Sequence, residues 1–365
     1  MNERIRRIGA GLLVLVWAGL ILAAWFKPAG AFSDAERRPL AQMPQINGET
    51  LSGGKFMTEF EDYTLDQFPL RDAFRQLKSL FHYYVLNQKD NNGIYIADGY
   101  AAEMEYPLDE SSLQRALQQF NKVYEKYLKD TGSTVIASVI PDKSYYLAED
   151  NGYLTMDYEA MFSQVREKMP WATFVDITDC LTVSDYYRTD THWRQERILP
   201  VAQRLAVALG VTAPQPEDFT QQALERPFYG VYYGQAALPM ESEVLYVLEN
   251  DLLKGCTVYN HETGKTTPVY DPDKLEAKDP YDVFLSGAQS LLTVTNPDAS
   301  TDRELIVFRD SFSSSLIPLL LQDYATVTLV DIRYISPEML GRFLDFHGQD
   351  VLFLYSTLVL NKNLI

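Results

Sequence analysis

An aspartate and a histidine two positions apart, together with a distant serine, are the residues of this sequence best suited to acyl transfer. The sequence has four histidines, and only His192 and His347 follow a carboxylate by two positions. His347 runs directly into a glycine, which is typical of a helix end. Asp190 can hold the ring of His192 in one tautomer and stabilise its positive charge. Ser311 then supplies the hydroxyl nucleophile that such a pair activates.

The segment after His192 predicts how the acid–base pair is held. Apolar residues recur at about helical spacing as far as Leu209, so we expect a helix with Asp190 or Thr191 as its N-cap. The partial positive charge of a helix N-terminus disfavours imidazolium, so His192 should be neutral and able to accept a proton. Pro200 should kink this helix.

Ser311 lies between two apolar runs. Residues 305–308 precede it, and Leu316 and Ile317 follow it after a run of serines. This order predicts a strand, a tight turn and a helix. A serine at such a junction lies at the carboxyl end of a parallel strand, where open α/β sheets bind ligands. Unpaired backbone N–H groups at the start of the helix can hold a developing oxyanion.

The elements that must position these residues alternate along the chain. Mostly apolar runs of strand length alternate with helical patterns, which predicts an α/β fold with a parallel sheet flanked by helices. We expect strands at 134–140, 173–177, 304–308, 325–332 and 350–355, and helices at 72–87, 111–129 and 156–168. Residues 211–300 mix Pro, Gly and Tyr with short alternating strands, so we interpret them as an elaboration that shapes the site.

The N-terminal sequence predicts a membrane anchor. Three arginines precede an uncharged apolar run at 8–26, which is long enough to cross a bilayer as a helix with its N-terminus inside. Cleavage after Ala31 would instead give a secreted protein. Both interpretations place the remaining chain outside the cytoplasm. The predicted organisation is a signal anchor at 1–31, a stem and docking segment at 32–92, and an α/β domain at 93–365.

Composition and short motifs argue against some classes of function. Apolar residues make up 46% of the 365 residues, and the net charge is -18. Such an acidic chain is a poor partner for nucleic acid, whose phosphates need Lys and Arg. Cys180 and Cys256 could form one disulfide or remain buried thiols. No motif typical of a structural or proteolytic zinc site is present.

The sequence resembles the DHHW family of bacterial membrane-anchored proteins, which is related to the alginate O-acetyltransferase type of SGNH hydrolase-like domain. The resemblance covers nearly the whole chain. The family's Asp-His-His-Trp appears here at 190–193 as Asp-Thr-His-Trp, so Thr191 replaces the first histidine. The other matching segments are 33–38, 66–72, 140–143, 228–230, 284–287, 309–312 and 331–334.

The resemblance implies both a fold and a reaction. It implies an SGNH hydrolase-like domain with a circularly permuted motif order, because Asp190 and His192 precede Ser311. It also implies ping-pong transfer of an acetyl group between Ser311 and a cell-surface polysaccharide or water, without a metal or other cofactor. A membrane partner that exports acetyl groups is a further implication.

Four other side chains are expected to bind substrate, and each has a structural alternative. Arg309 can instead form an ion pair, and Lys143 can be a solvated loop lysine. Tyr187 and Trp193 can stack on sugar rings, but aromatic residues beside a helix start are more often part of the core.

Two other functions compete with the enzyme hypothesis. An Asp-x-His pair also opens metallophosphoesterase sites, but those need several further ligands at strand ends. A non-catalytic surface protein could keep the fold and bind a glycan or a protein partner. Labelling of Ser311 by an activated ester or a serine-directed probe distinguishes the enzyme from the binding protein.

Overall fold

The computed structural model of the chain describes residues 3–365 and contains twelve α-helices and fifteen strands in that part of the chain. The strands β1 to β15 are Phe32–Ser33, Arg38–Pro39, Asp90–Asn91, Ile94–Ala97, Tyr100–Glu103, Val135–Ile140, Thr173–Phe174, Thr220–Phe228, Glu243–Glu249, Thr257–Asn260, Lys265–Pro268, Leu291–Thr295, Arg303–Arg309, Tyr324–Val330 and Asp350–Ser356. The helices α1 to α12 are Glu3–Phe26, Gly48–Ser52, Lys55–Asp66, Arg71–Leu80, Glu110–Val123, Lys143–Leu147, Tyr158–Lys168, Leu199–Leu209, Val231–Ala236, Asp251–Gly255, Ser313–Leu316 and Thr357–Asn361.

The chain divides into two compact units. Unit 1 contains residues 3–92 and 233–239, and unit 2 contains residues 93–232 and 240–365. The sequence also predicts a division of the first 92 residues into an anchor at 1–31 and a stem at 32–92. This division and the functions given to the two segments remain predictions.

Unit 2 is built around an eight-stranded sheet with the order β11-β10-β12-β14-β13-β15-β6-β7. The five strands from β14 to β7 are parallel to their neighbours, whereas β12, β10 and β11 continue the sheet in antiparallel pairing. The prediction of an α/β fold is therefore confirmed, and the predicted parallel pairing holds for the strands from β14 to β7 but not for β12, β10 and β11. The antiparallel strands come from the segment 211–300 and from its hairpin at 257–268.

Alternate residues of the central strands enter two different apolar cores. In β13, Leu305 and Val307 pack against one core together with α8, while Ile306 and Phe308 pack against the other with α5 and α7. β15 alternates in the same way. Because both faces are covered by helices, every residue of β6 and of β15 is buried. This arrangement explains why their sequences are apolar runs rather than alternating ones.

Helix α8 differs from the sequence prediction at its start. It begins at Leu199, so Pro200 lies in its first turn and does not kink it. Proline is well tolerated there because the first N–H groups of a helix have no intrahelical partner. The residues from 188 to 192 form bends rather than helix. The prediction that Asp190 or Thr191 caps this helix is therefore wrong.

Unit 1 contains the apolar N-terminal helix and an ion-pair cluster. Helix α1 has 24 residues and no buried residue, and it is long and apolar enough to cross a membrane. A signal sequence meets the same criteria. Elsewhere in the unit, Arg38 donates two hydrogen bonds to the Asp66 carboxylate, at 2.6 and 2.8 Å. The Arg38 guanidinium also lowers the pKa of Asp66 to about 2.

Candidate active site

Ser311 lies two residues beyond the carboxyl end of β13, as predicted. The turn that carries it leads into the short helix α11. The carboxyl ends of the neighbouring parallel strands lie at the same edge of the sheet. The carboxylate of Asp310 accepts the backbone N–H of Ser356 at 2.7 Å, and Thr357 donates its hydroxyl to Asp142 at 2.7 Å. The serine is thus held at an edge that three strands tie together.

The serine, the histidine and the aspartate form one continuous hydrogen-bonded chain. The Oγ of Ser311 lies 2.8 Å from Nε2 of His192. The Nδ1 of the same ring lies 2.6 Å from Oδ1 of Asp190. Asp190 is fully buried, His192 is 6% exposed and Ser311 is partly exposed. Because an ionised carboxylate only accepts, Asp190 favours the tautomer with a proton on Nδ1, which leaves Nε2 free to accept the serine proton.

Backbone groups from two segments hold the Asp190 carboxylate. Its Oδ1 also accepts the backbone N–H of His192 at 3.0 Å, and its Oδ2 accepts the N–H of Val231 at 2.9 Å. The histidine is therefore oriented by a local turn and not by the start of a helix. Next to Val231, the backbone of Gly230 packs directly on the aspartate. A Cβ added at Gly230 would lie 2.3 Å from the Cα of Asp190.

We expect Gly230→Ala to reduce turnover by about 100-fold, because the added methyl must displace Asp190 and with it the ring of His192. Steady-state kinetics on an acetyl ester measure this effect. Gly48→Ala is the matched control, since a Cβ at Gly48 meets nothing within 4 Å. Equal activity of the two variants would show that the close approach at Gly230 does not position Asp190.

Aromatic side chains fix the plane of the histidine ring. The rings of His192 and Tyr281 stack with centroids 4.0 Å apart and planes 10° apart, and Phe312 lies 4.8 Å away on centroids. The hydroxyl of Tyr281 donates to Ser315 at 2.8 Å. Trp193 donates its indole N–H towards the carbonyl of Phe312 and the hydroxyl of Ser315, at 3.0 Å each. The loop that carries the histidine is thus bonded to the segment that follows the nucleophile.

The turn before Ser311 uses an aspartate that the sequence analysis left without a role. The Oδ1 of Asp310 accepts the backbone N–H of Phe312 at 3.0 Å. This N–H is one of the groups expected to be unpaired and able to hold an oxyanion, so that expectation is wrong for Phe312. Arg309 lies beside the turn and donates to the hydroxyl of Ser314 at 2.7 Å and to the carbonyl of Gly287 at 3.1 Å.

Lys143 is fully buried, so the alternative of a solvated loop lysine is wrong. Its ammonium donates to the backbone carbonyl of Ala101, to that of Tyr187 at 2.9 Å and to that of Arg188 at 3.4 Å. Burial lowers the pKa of Lys143 from 10.5 to about 7, although the charge of Asp190 opposes this shift. Lys143 therefore anchors the start of the turn that carries the aspartate and the histidine.

We expect Lys143 to make unfolding depend on pH. Between pH about 7 and 10.5 the unfolded chain binds a proton at Lys143 that the folded chain has released. The wild-type free energy of unfolding should therefore rise with pH relative to Lys143→Met, by at most about 1.4 kcal/mol per pH unit. Urea unfolding of both proteins at several pH values measures the difference. A difference that does not change with pH would mean that Lys143 keeps its ordinary pKa.

The four residues predicted to bind substrate are all buried. Arg309, Trp193 and Tyr187 have no exposed surface, and Lys143 is 2% exposed. Tyr187 packs edge to face on Phe228, with ring centroids 4.9 Å apart. Because their surroundings are protein, these positions favour support of the site over contact with substrate.

Several supporting residues were missed by the sequence analysis. Glu243 accepts two backbone N–H groups and a hydroxyl from Arg188 and Thr189, each at 2.8 Å. Gln195 donates to the carbonyl of Ser315 and accepts from the N–H of Leu248, both at 2.8 Å. Their partners are distant backbone groups, so no local pattern marks either residue. Gly230 and Asp310 had a signal, because each belongs to a segment that matches the DHHW family.

Among residues 3–365, no group of three or more His, Cys, Asp or Glu side chains is arranged to hold a metal ion. Cys180 and Cys256 are free thiols. Burial raises the pKa of Cys256 to about 11.

Comparison with known proteins gives one matching family and several solved structures with a similar fold. The family described as DHHW protein matches residues 176–330, which contain Asp190, His192 and Ser311. The resemblance to this family is confirmed over that segment. No curated protein sequence matches the chain.

Solved structures share the fold at low sequence identity. A DHHW family protein from Eubacterium siraeum has a TM-score of 0.59 and 19% identity, over 75% of this chain and 93% of that chain. Bacillus cereus PatB1 with a sulfonyl adduct has a TM-score of 0.58 and 16% identity, over 74% of this chain and 98% of the PatB1 chain. The O-acetyltransferase domain of Pseudomonas putida AlgJ has a TM-score of only 0.45 and 17% identity, over 74% of this chain and 93% of the AlgJ chain. At such identities the first two likenesses establish the fold alone, and the third is too distant to support an argument.

Proposed function

We propose that this chain, which matches the DHHW family over residues 176–330, is a membrane-anchored enzyme that transfers acetyl groups by way of Ser311. The observation that carries the proposal is the hydrogen-bonded series from Ser311 through His192 to Asp190, at 2.8 and 2.6 Å. Such a series activates a hydroxyl that is otherwise a weak nucleophile. The partly exposed serine gives an acyl donor access to it.

The reaction has two half-reactions. In the first, His192 Nε2 takes the proton of Ser311 while the Oγ attacks the carbonyl carbon of an acetyl donor. The tetrahedral intermediate collapses, the donor's leaving group takes the proton from the imidazolium, and an acetyl ester remains on the serine. In the second, His192 removes a proton from an acceptor hydroxyl while its oxygen attacks the ester carbonyl. The bond from this carbon to Ser311 Oγ then breaks, the Oγ takes the proton from the imidazolium, and the acetylated acceptor leaves. Asp190 stabilises the imidazolium in both.

The acceptor class and the location belong to the same proposal. A sugar hydroxyl of a cell-surface polysaccharide gives transfer, and water gives hydrolysis. The apolar helix α1 supports a single-pass anchor with the rest of the chain outside the cytoplasm. The circularly permuted SGNH-like order and a membrane partner that exports acetyl groups are also part of the proposal.

A sulfonyl fluoride tests the proposal directly. PatB1 was solved with a sulfonyl adduct, and sulfonyl fluorides leave this group on activated hydroxyls. We expect intact-mass spectrometry to show one sulfonyl group per chain, and peptide mapping to place it on Ser311. A folded protein that remains unlabelled would contradict the proposal and favour a surface protein that only binds a glycan or partner.

A further inference from the structure

Helix α4 presents an apolar surface to solvent. Phe74, Leu77 and Phe81 follow one another at helical spacing, and each is at least 44% exposed. Phe81 begins the π-helical turn that continues α4, and Tyr84 and Val85 extend the surface along this turn. We call these five residues the apolar stripe. A helix on the surface of a soluble protein normally turns such a stripe towards the core.

Polar contacts on the other side of the helix prevent it from turning over. Arg75 pairs with Glu36 at 3.2 Å and donates to the carbonyl of Gly234 at 2.9 Å. Ser79 has no exposed surface and accepts a hydrogen bond from the side-chain amide of Asn91 at 2.7 Å. Rotation of the stripe towards the protein would break these contacts and leave buried polar groups without partners, which is costly. The exposed stripe is therefore fixed by unit 1 itself.

The same unit supplies a reason for the exposure. Helix α1 belongs to unit 1 and has no buried residue, so its apolar surface also needs a non-aqueous partner. A unit tethered to a bilayer by α1 meets lipid at high effective concentration. Of the basic residues of α4, Arg71 and Arg75 are paired with Glu36 inside unit 1, whereas Lys78, next to Leu77, is exposed. An exposed apolar stripe with an exposed lysine beside it suits a helix that lies in a membrane interface.

We propose that the apolar stripe lies in the headgroup region of the extracytoplasmic leaflet, with Lys78 near anionic phospholipids. The bilayer then contacts unit 1 twice, through α1 and through α4. This inference rests on the proposed membrane location and not on acyl transfer. Contact with lipid would explain why the apolar stripe is exposed, which packing within unit 1 does not explain.

Photocrosslinking of the full chain in vesicles of phosphatidylcholine and phosphatidylglycerol tests the inference. The photoreactive residue p-benzoylphenylalanine replaces Leu77 in one variant and Gln76, an exposed neighbour outside the stripe, in the matched control. We expect at least ten-fold more lipid adduct by mass spectrometry at Leu77 than at Gln76, and more in the presence of phosphatidylglycerol than in phosphatidylcholine alone.

Three other outcomes would overturn the inference. Crosslinks from Leu77 to a second copy of the chain would assign the stripe to an oligomer interface. Equal lipid adducts at Leu77 and Gln76 would show that the stripe has no preferred contact with lipid. Failure of the unmodified chain to float with the vesicles would remove the membrane location on which the inference rests. Sulfonyl labelling of Ser311 in the same samples measures the proposed chemistry separately.

Discussion

Ser311→Ala should abolish turnover of an acetyl ester, with a loss of about 10⁴-fold or more. Without the hydroxyl no acyl-enzyme can form, and the rate that remains comes only from binding and from polar groups that stabilise the transition state. The serine is partly exposed, and its hydroxyl forms a hydrogen bond with His192. The melting temperature should therefore change by no more than a few degrees. Stopped assays and intact-mass analysis after incubation with donor measure both the rate and the acetyl-enzyme.

A second serine serves as the control for this substitution. Ser184→Ala removes an exposed hydroxyl that bonds only to Thr182 among the contacts described for residues 3–365, and it should leave the rate unchanged. A rate that survives Ser311→Ala, with the mutant folded and pure, would assign the nucleophile to another residue or to water. Loss of acetyl-enzyme together with a retained hydrolysis rate would point to direct attack by water.

Asp190→Asn should reduce turnover by about 10³- to 10⁴-fold. One amide orientation keeps an oxygen towards His192 but turns its NH₂ towards the N–H of Val231, which loses its acceptor. The other orientation satisfies Val231 but faces the NH₂ to the histidine ring, which reverses the tautomer. Both orientations remove the charge that stabilises the imidazolium, and one also removes the general base. Steady-state kinetics on the same ester measure the loss.

The sequence contains a matched control for this aspartate. Asp345 also precedes a histidine by two positions, but both residues of that pair are exposed, so Asp345→Asn should leave turnover unchanged. In the double variant, Asp190→Asn should add almost nothing to the loss caused by Ser311→Ala, because the three residues act as one unit. Additive losses would indicate that Asp190 acts only through the stability of the loop.

The sequence predicted the parts of the fold whose signals are local. The runs in β6, β13 and β15 are apolar because both faces of each strand are covered, and a run of that kind is recognisable without the structure. The pairing of Ser311 with His192 followed from chemistry and from the position of the serine at a strand end. The predicted strands begin and end within three residues of those in the structure.

The remaining features depend on contacts between distant segments. The turn before α8 looked like a helix start because apolar residues recur at helical spacing after His192, but Trp193 and Gln195 bond to backbone and hydroxyl groups of Phe312 and Ser315 instead. The burial of Lys143 depends on carbonyl groups more than forty positions away along the chain. The antiparallel strands β10 and β11 carry polar side chains that gave no sign of membership in the central sheet.

Residues 211–300 supply much of what holds the acid–base pair in place. Gly230 and Val231 contact Asp190, Glu243 holds Thr189, and Tyr281 stacks on the ring of His192. This segment therefore cannot be exchanged between homologues unless its contacts with the turn that carries Asp190 and His192 are preserved. Natural changes in the reaction should therefore involve linked substitutions in residues 211–300 and in that turn. A shortened variant that lacks residues 211–300 would be a poor starting point for laboratory evolution.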